Sequence, residues 1–270
     1  MNRVTLDASW PESWKYSYPY DLEEIYGQNA NPGYSYAYQQ RRDETLRLLT
    51  SVLPPGARIL DVAAAQGNFS IALAEMGYRV TWNDLRADLA GYVKLKQSSG
   101  QIEFAPGNVF DIKFDALFDG VLITEVIEHV AHPDEFLSKI AELVKPGGYI
   151  VVTTPNGAYF RNWLPRFSDC EDPSVFEAIQ FKPNADGHIF LLYPEEISLL
   201  SERAGLSVDE SKLLINPLTN GRLGTGFLLR MLPRGIVNFC ERITRTLPMF
   251  VQRRISVQLV ARLKKKPCAS

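Results

Sequence analysis

In the stretch ILDVAAAQGNF, Ile59 to Phe69, an acid is followed by a small residue at every second position: Asp61, Ala63, Ala65 and Gly67. Small side chains let a loop backbone come close to a ligand. A second acid, Asp84, ends the stretch YRVTWND, and a carboxylate can accept two hydrogen bonds at once. The histidines are His129, His132 and His188. Imidazole titrates near the operating pH, so one placed beside a reacting oxygen can take up its proton. These residue types suit a bound nucleotide-like molecule with a proton transfer next to it.

The loop does not fit the commonest nucleotide cradles. A dinucleotide fingerprint requires G-x-G-x-x-G, and here Ala63, Ala65 and Asn68 hold the three glycine places. No Gly-Lys-Ser/Thr follows, which excludes a phosphate-cradling P-loop. A β-carbon disfavours positive φ. The turn is therefore expected to use negative φ at Ala63 and Ala65, with Gly67 alone requiring a permissive backbone.

Strands and helices alternate around this loop. ARILDV reads as a buried strand. Phe69, Ala72, Leu73 and Met76 recur at helical spacing, and Gly77 closes that helix. YRVTWND, IEFAPGN and FDGVLIT are the next strands. Pro133 opens a helix with Phe136, Leu137, Ile140, Leu143 and Val144 on its buried face. Pro146-Gly147-Gly148 stops that helix before the strand YIVVTT. A helix from Pro194 to Ala204 and two strands, LSVDESKLL and ISVQLVARL, complete the series. The expected fold is α/β: a Rossmann-like, seven-stranded, mostly parallel sheet with helices on both faces. Its ligand belongs beyond the carboxyl ends of the strands. Ahead of the sheet, residues 1 to about 40 are rich in tyrosine and tryptophan and poor in regular period, and a helix is expected from about Tyr38 to Val52.

The motif Asp61-x-Ala63-x-Ala65-x-Gly67 resembles the first motif of class I S-adenosylmethionine-dependent methyltransferases. FDGVLITEVIEHVAHPDEFLSKIAELVKPGGYIVVTTPN and DGHIFLLYPEEISLLSERAGL are similar to segments of the ubiquinone-biosynthesis O-methyltransferase group. The similarity covers about Leu46 to Ile215 and the last strand. It implies S-adenosyl-L-methionine as cofactor, held by Asp61, Ala63, Ala65, Gly67, Asp84, Leu85, Asn108, Val109 and Thr124. Asp84 would hold the ribose hydroxyls. Asn108 stands where an aspartate commonly reads the adenine amino group, and its carbonyl can still accept. The resemblance implies a histidine base beside the acceptor: His129, with His188 as competitor. His132 reads as a helix cap and Glu128 as solvated. One acid with scattered histidines is weak ground for a metal, and none is expected.

The implied reaction is methyl transfer to a hydroxyl of a small phenolic, sugar or lipid-linked acceptor. An N- or C-methyltransferase and a catalytically inactive cofactor-binding protein stand as alternatives, with a dehydrogenase behind them. The absence of an Asn/Asp-Pro-Pro-Tyr/Phe motif after the fourth strand argues against amino methylation of bases or glutamine.

The 270 residues carry a net charge of −2, so no global field favours nucleic acid. Three cysteines without metal or redox spacing and no apolar leader fit a cytoplasmic setting. Two units are expected: an aromatic N-terminal cap over 1–45, and the methyltransferase domain over 46–270 with a helical insertion at about 217–254. From Arg222 to Arg254 seven arginines face a single acid, Glu241, while Ile236, Cys240, Ile243 and Leu247 share a helical face. A peripheral membrane contact through 222–254 competes with packing against the site or a second subunit. Leu228, Leu229, Leu232, Phe239 and Phe250 are expected to pack on protein, which favours a structural cover. The oligomeric state is left open.

Overall fold

The structure, a computed structural model, describes residues 1–28, 32–180, 187–221 and 223–267. Arg222 and Cys268 lie outside the described residues.

Seven strands form one sheet: β1 (Arg58–Val62), β2 (Arg79–Trp82), β3 (Gln101–Phe104), β4 (Phe118–Thr124), β5 (Val144–Pro155), β6 (Leu206–Leu214) and β7 (Gln258–Lys265). Their order is β3-β2-β1-β4-β5-β7-β6. The pairs among β1 to β5 are parallel, and β7 runs antiparallel between β5 and β6. The strand order reverses beside β1, which places a ligand crevice between the ends of β1 and β4.

The central strands are apolar on both sides because helices cover both. Leu60, Val121, Ile123, Ile150 and Val152 point into one core with Leu137 and Ile140 of α5 (Pro133–Glu142) and Ile197 and Leu200 of α6 (Pro194–Arg203). Ile59, Leu122 and Val151 alternate to the other face. There they meet Leu46, Leu48 and Leu49 of α2 (Pro32–Thr50) and Leu73 of α3 (Asn68–Glu75). The sheet has the expected strand count, and these elements agree with those expected except at one junction: α5 ends at Glu142, and Val144 with Pro146-Gly147-Gly148, expected to finish and stop that helix, already belong to β5, where Val144 pairs with Phe118.

Three further features differ from expectation. The aromatic start is helical, not irregular: α1 spans Glu12–Glu24 with Pro19 inside it. Its neighbour α2 begins at Pro32, not Tyr38, and runs without a break across residue 45. Another helix, α4 (Leu89–Lys96), follows β2 and receives the aromatics. The Trp10 ring packs edge-on against Trp14 and Tyr92, and Trp14 Nε1 donates to the Asp88 carbonyl at 2.8 Å. A β-carbon at Gly91 would stand 2.4 Å from the Trp14 ring, so α1 and α4 touch through a glycine. Between β6 and β7 lies the expected insertion, as α7 (Gly226–Met231), α8 (Arg234–Thr246) and α9 (Met249–Ile255).

Candidate active site

A cavity of about 940 Å³ opens beyond the carboxyl ends of β1, β2 and β4. That volume suits a small-molecule or cofactor site. Four stretches of sequence meet there: Ala63 to Gln66 after β1, Asp84 to Arg86 after β2, Thr124 to Val126 after β4, and the pair His129 and His188. Tyr16 and Tyr20 of α1 with Tyr34 and Tyr38 of α2 line one side of it. The aromatic cap therefore does two jobs, covering α4 and lining the cavity.

The loop after β1 corrects the expected backbone. Ala63 and Ala65 lie at φ +53° and +47°, in the left-handed region with Gly67 at +71°. All three alternate positions turn the chain the same way, so the alanines hold a conformation that costs an L-residue roughly 1–2 kcal/mol each. The surroundings enforce it. Asp84 Oδ2 accepts the Ala65 N–H at 2.8 Å, Trp82 Nε1 donates to the Ala65 carbonyl at 3.0 Å, and the Ala64 N–H reaches the Asn83 carbonyl at 2.8 Å. Gly67 is constrained further: a β-carbon would sit 2.7 Å from Val93 of α4.

Asp84 is buried and lines the cavity. Besides the Ala65 amide it accepts from Arg86, through the main chain at 2.9 Å and Nε at 3.0 Å. Leu85 and Thr124 also line the cavity. Asp61 and Gly67 stand behind its wall. The Asp61 Oδ2 accepts from Ser70 Oγ at 2.6 Å, while Oδ1 is buried with no hydrogen-bond partner. Burial pushes the Asp61 carboxyl up to about 7, against the pull of Ser70 and with a further push from Asp84. Asn108 is exposed and bonded within its own turn, Nδ2 to Asp111 and Oδ1 from the Phe110 N–H. Val109 points into the core beside Phe136.

Across the cavity, Glu125 sits at φ +55°, a position where a non-glycine residue is uncommon and where strained sites cluster. Its carboxylate accepts from Thr153 Oγ1 at 2.8 Å and Gln258 Nε2 at 2.7 Å, and pairs with Arg41 Nη1 at 3.0 Å. The next turn, Ile127–His129, and the segment after residue 186 are clasped by the Ile189 N–H bond to the Glu128 carbonyl at 2.7 Å. That clasp sets the rings of His129 and His188 4.9 Å apart, edge to face. His129 Nδ1 lies 3.2 Å from the Gly187 carbonyl. A carbonyl only accepts, so Nδ1 is the donor in this contact, which leaves Nε2 as the acceptor of the neutral ring.

Two expectations here are overturned. Glu128 is not solvated: it is fully buried, and both carboxylate oxygens lack hydrogen-bond partners. Burial, with the Glu125 charge nearby, drives its carboxyl well above the usual range. His132 occupies the cap position of α5 without capping it. Its imidazole instead meets Glu177 at 2.8 Å.

Glu128, His129 and His188 each offer one ligating atom, all within 4.8 Å of one another. A carboxylate with two imidazoles suits a divalent metal such as zinc.

Sequence reasoning missed several residues of the site. Glu24 of α1 reaches the loop after β1, accepting from Gln66 Nε2 at 2.9 Å, Asn68 Nδ2 at 3.3 Å and the Tyr34 hydroxyl at 2.8 Å. Arg41 and Gln258 come from elements far apart in the chain. Nothing in the local pattern of α2 or β7 marks these side chains.

Residues 34–211 match the family model described as a methyltransferase domain. A ubiquinone biosynthesis O-methyltransferase of Xanthomonas campestris pv. campestris (strain B100) is 37% identical over 106 residues, 38% of this chain and 44% of that protein. The chain thus matches less than half the length of such curated relatives. Among solved structures, the N-methyltransferase NodS of Bradyrhizobium japonicum WM9 with S-adenosyl-l-homocysteine has a TM-score of 0.53 at 15% identity, covering 94% of this chain and 99% of NodS. Magnesium protoporphyrin IX methyltransferase of Synechocystis PCC 6803, also with bound SAH, has a TM-score of 0.55 at 14% identity, covering 91% and 97%. Both share the fold of this chain.

Proposed function

This chain belongs to the methyltransferase-domain family, and we propose that it transfers the methyl group of S-adenosyl-L-methionine to an oxygen of a small phenolic, sugar or lipid-linked acceptor. One observation carries the reading. A single cavity joins the left-handed loop Ala63–Gly67 and Asp84 on one side to His129 and His188 on the other. The name of the similar Xanthomonas proteins favours oxygen as the acceptor atom.

The cofactor fits the residues present. Three alternate left-handed positions shape the loop whose residues Ala63 to Gln66 line the cavity, where side chains larger than methyl at 63 and 65 would intrude. The Asp84 carboxylate suits ribose hydroxyls, with the Ala65 amide fixing its orientation. Asp61 and Gly67 shape the loop from behind. Leu85 and Thr124 line the same end, and Asn108 and Val109 form the turn beyond it. Bound there, S-adenosylmethionine supplies an electrophilic methyl carbon. The residues lining the cavity would hold the acceptor oxygen beside that carbon, with Tyr16, Tyr20, Tyr34 and Tyr38 facing the same space. His129 Nε2 takes the acceptor's proton.

A second reading rests on the gathering of Glu128, His129 and His188. A divalent ion on those three groups would supply Lewis acidity toward the acceptor oxygen. Chelation followed by readdition of magnesium, manganese or zinc separates the two readings.

The decisive experiment is turnover of labelled cofactor with extract metabolites, followed by identification of the labelled product. An N- or C-methylated product would replace the oxygen reading. Cofactor binding without turnover on any acceptor would make this a binding protein. His129→Gln should cut turnover about 10²-fold while S-adenosylhomocysteine still binds. If His188→Ala behaves that way instead, His188 is the base.

A further inference from the structure

The insertion turns its apolar stripe outward. In α8 the inner edge is Val237, Glu241 and Thr244, all buried. Ile236 and Ile243 of the expected stripe are each 47% exposed, and Phe239 is 60% exposed. Neither α7 nor α9 buries a residue. Phe227, Met231 and Phe250 are 70–72% exposed. Among the described residues, the packing on protein expected for Leu228, Leu232, Phe239 and Phe250 is therefore absent. A patch of this kind marks an interaction surface.

Charge says what covers it. Between residues 222 and 254 the only acid is Glu241, and it faces inward. Its carboxylate accepts the Ile215 and Asn216 N–H groups at 3.3 and 2.9 Å and meets the Thr219 hydroxyl. Arg242 and Arg254 are exposed among the apolar tips. A two-fold contact with a second copy would set arginines against arginines with no acid between them. A surface of anionic headgroups offers the opposite charge everywhere and accepts phenylalanine and methionine tips below it.

We propose that the outer face of α7–α9 docks on an anionic lipid surface. The inner face makes the platform rigid: Tyr36 Oη donates to Asn238 at 2.8 Å, and Arg245 reaches Gln40 at 3.3 Å. Ile215, bonded to Glu241, is itself part of the cavity wall. Docking thus brings the lipid surface next to the site, and it holds whichever acceptor the site takes.

Flotation of the full chain with vesicles tests this. Vesicles of phosphatidylcholine and phosphatidylglycerol at roughly 3:1 should carry about tenfold more protein than phosphatidylcholine alone, and salt should release it as screening shortens. Phe227→Ser/Phe239→Ser/Phe250→Ser and Arg242→Glu/Arg254→Glu should each abolish flotation with unchanged circular dichroism and S-adenosylhomocysteine binding. No flotation at low salt, or equal flotation on both vesicles, overturns the proposal. So does a non-floating dimer that the triple serine variant converts to monomer.

Discussion

The main-chain N–H of Ala65 points at the Asp84 carboxylate, 2.8 Å from Oδ2, while Ala65 itself lies at φ +47°. The acid after the second strand thus braces the strained turn after the first. One carboxylate shapes the loop and remains exposed to the cavity. Replacing Asp84 by Ala removes both contributions, and by Asn only the charge. Calorimetry with S-adenosylhomocysteine should show a loss of roughly 1–3 kcal/mol for Asp84→Ala, with Asp84→Asn in between. Full affinity in a folded Asp84→Ala protein would falsify its role in cofactor binding.

The left-handed alanines make a prediction of opposite sign. Ala65→Gly relieves the β-carbon strain but adds freedom to the unfolded chain. The net effect should be a gain of up to about 1 kcal/mol in denaturant unfolding. Gly67→Ala should be strongly destabilising, since its β-carbon would stand 2.7 Å from Val93 at φ +71°. A loss from Ala65→Gly would mean that the methyl group contributes packing that outweighs its strain.

Why the alanines misled at the sequence level is physical. Propensity disfavours positive φ for alanine, but Asp84, Trp82 and Asn83 together determine the turn from outside. The strands were legible because the central ones are apolar on both faces, as in β4, where Val121, Leu122 and Ile123 are all fully buried. Helix α1 was not, because Trp14 serves α4 while Tyr16 and Tyr20 face the cavity, which leaves no single apolar stripe. Glu128 read as solvated because an acid in a loop usually is. Only the clasp between its carbonyl and Ile189 reveals that the turn is covered.

Asp61 carries a pH dependence with a definite sign. Its carboxyl is pushed up to about 7 in the fold, chiefly by burial, against roughly 3.9 unfolded. The native state then holds the proton more tightly. The associated stability is fully present below about pH 4 and is lost as pH rises to about 7. Asp61→Asn cannot ionise and keeps an acceptor for Ser70. Between pH 4 and 8 the ligand-free variant should gain stability relative to wild type by an amount on the order of 3 kcal/mol. A constant difference across that range in urea titrations would refute the shifted pKa.

Lys96 and Asp21 form a buried charge pair, at 2.6 Å with side chains 2% and 3% exposed. They join α4 to the cap helix α1. Tyr92 also donates to Asp21 Oδ2, at 2.7 Å, and Lys96 Nζ reaches Asn68 Oδ1 at 2.7 Å, where α3 starts after the Ala63–Gly67 loop. Removing one partner leaves a buried charge without its counterion, so Lys96→Met alone should cost about 3–5 kcal/mol. The double variant Lys96→Met/Asp21→Leu removes both charges and should recover much of that loss. Cofactor affinity should follow a different pattern. Asn68 loses its lysine in both variants, so weakened S-adenosylhomocysteine binding should persist after stability returns. Affinity restored together with stability would show that the pair supports the fold without positioning the loop.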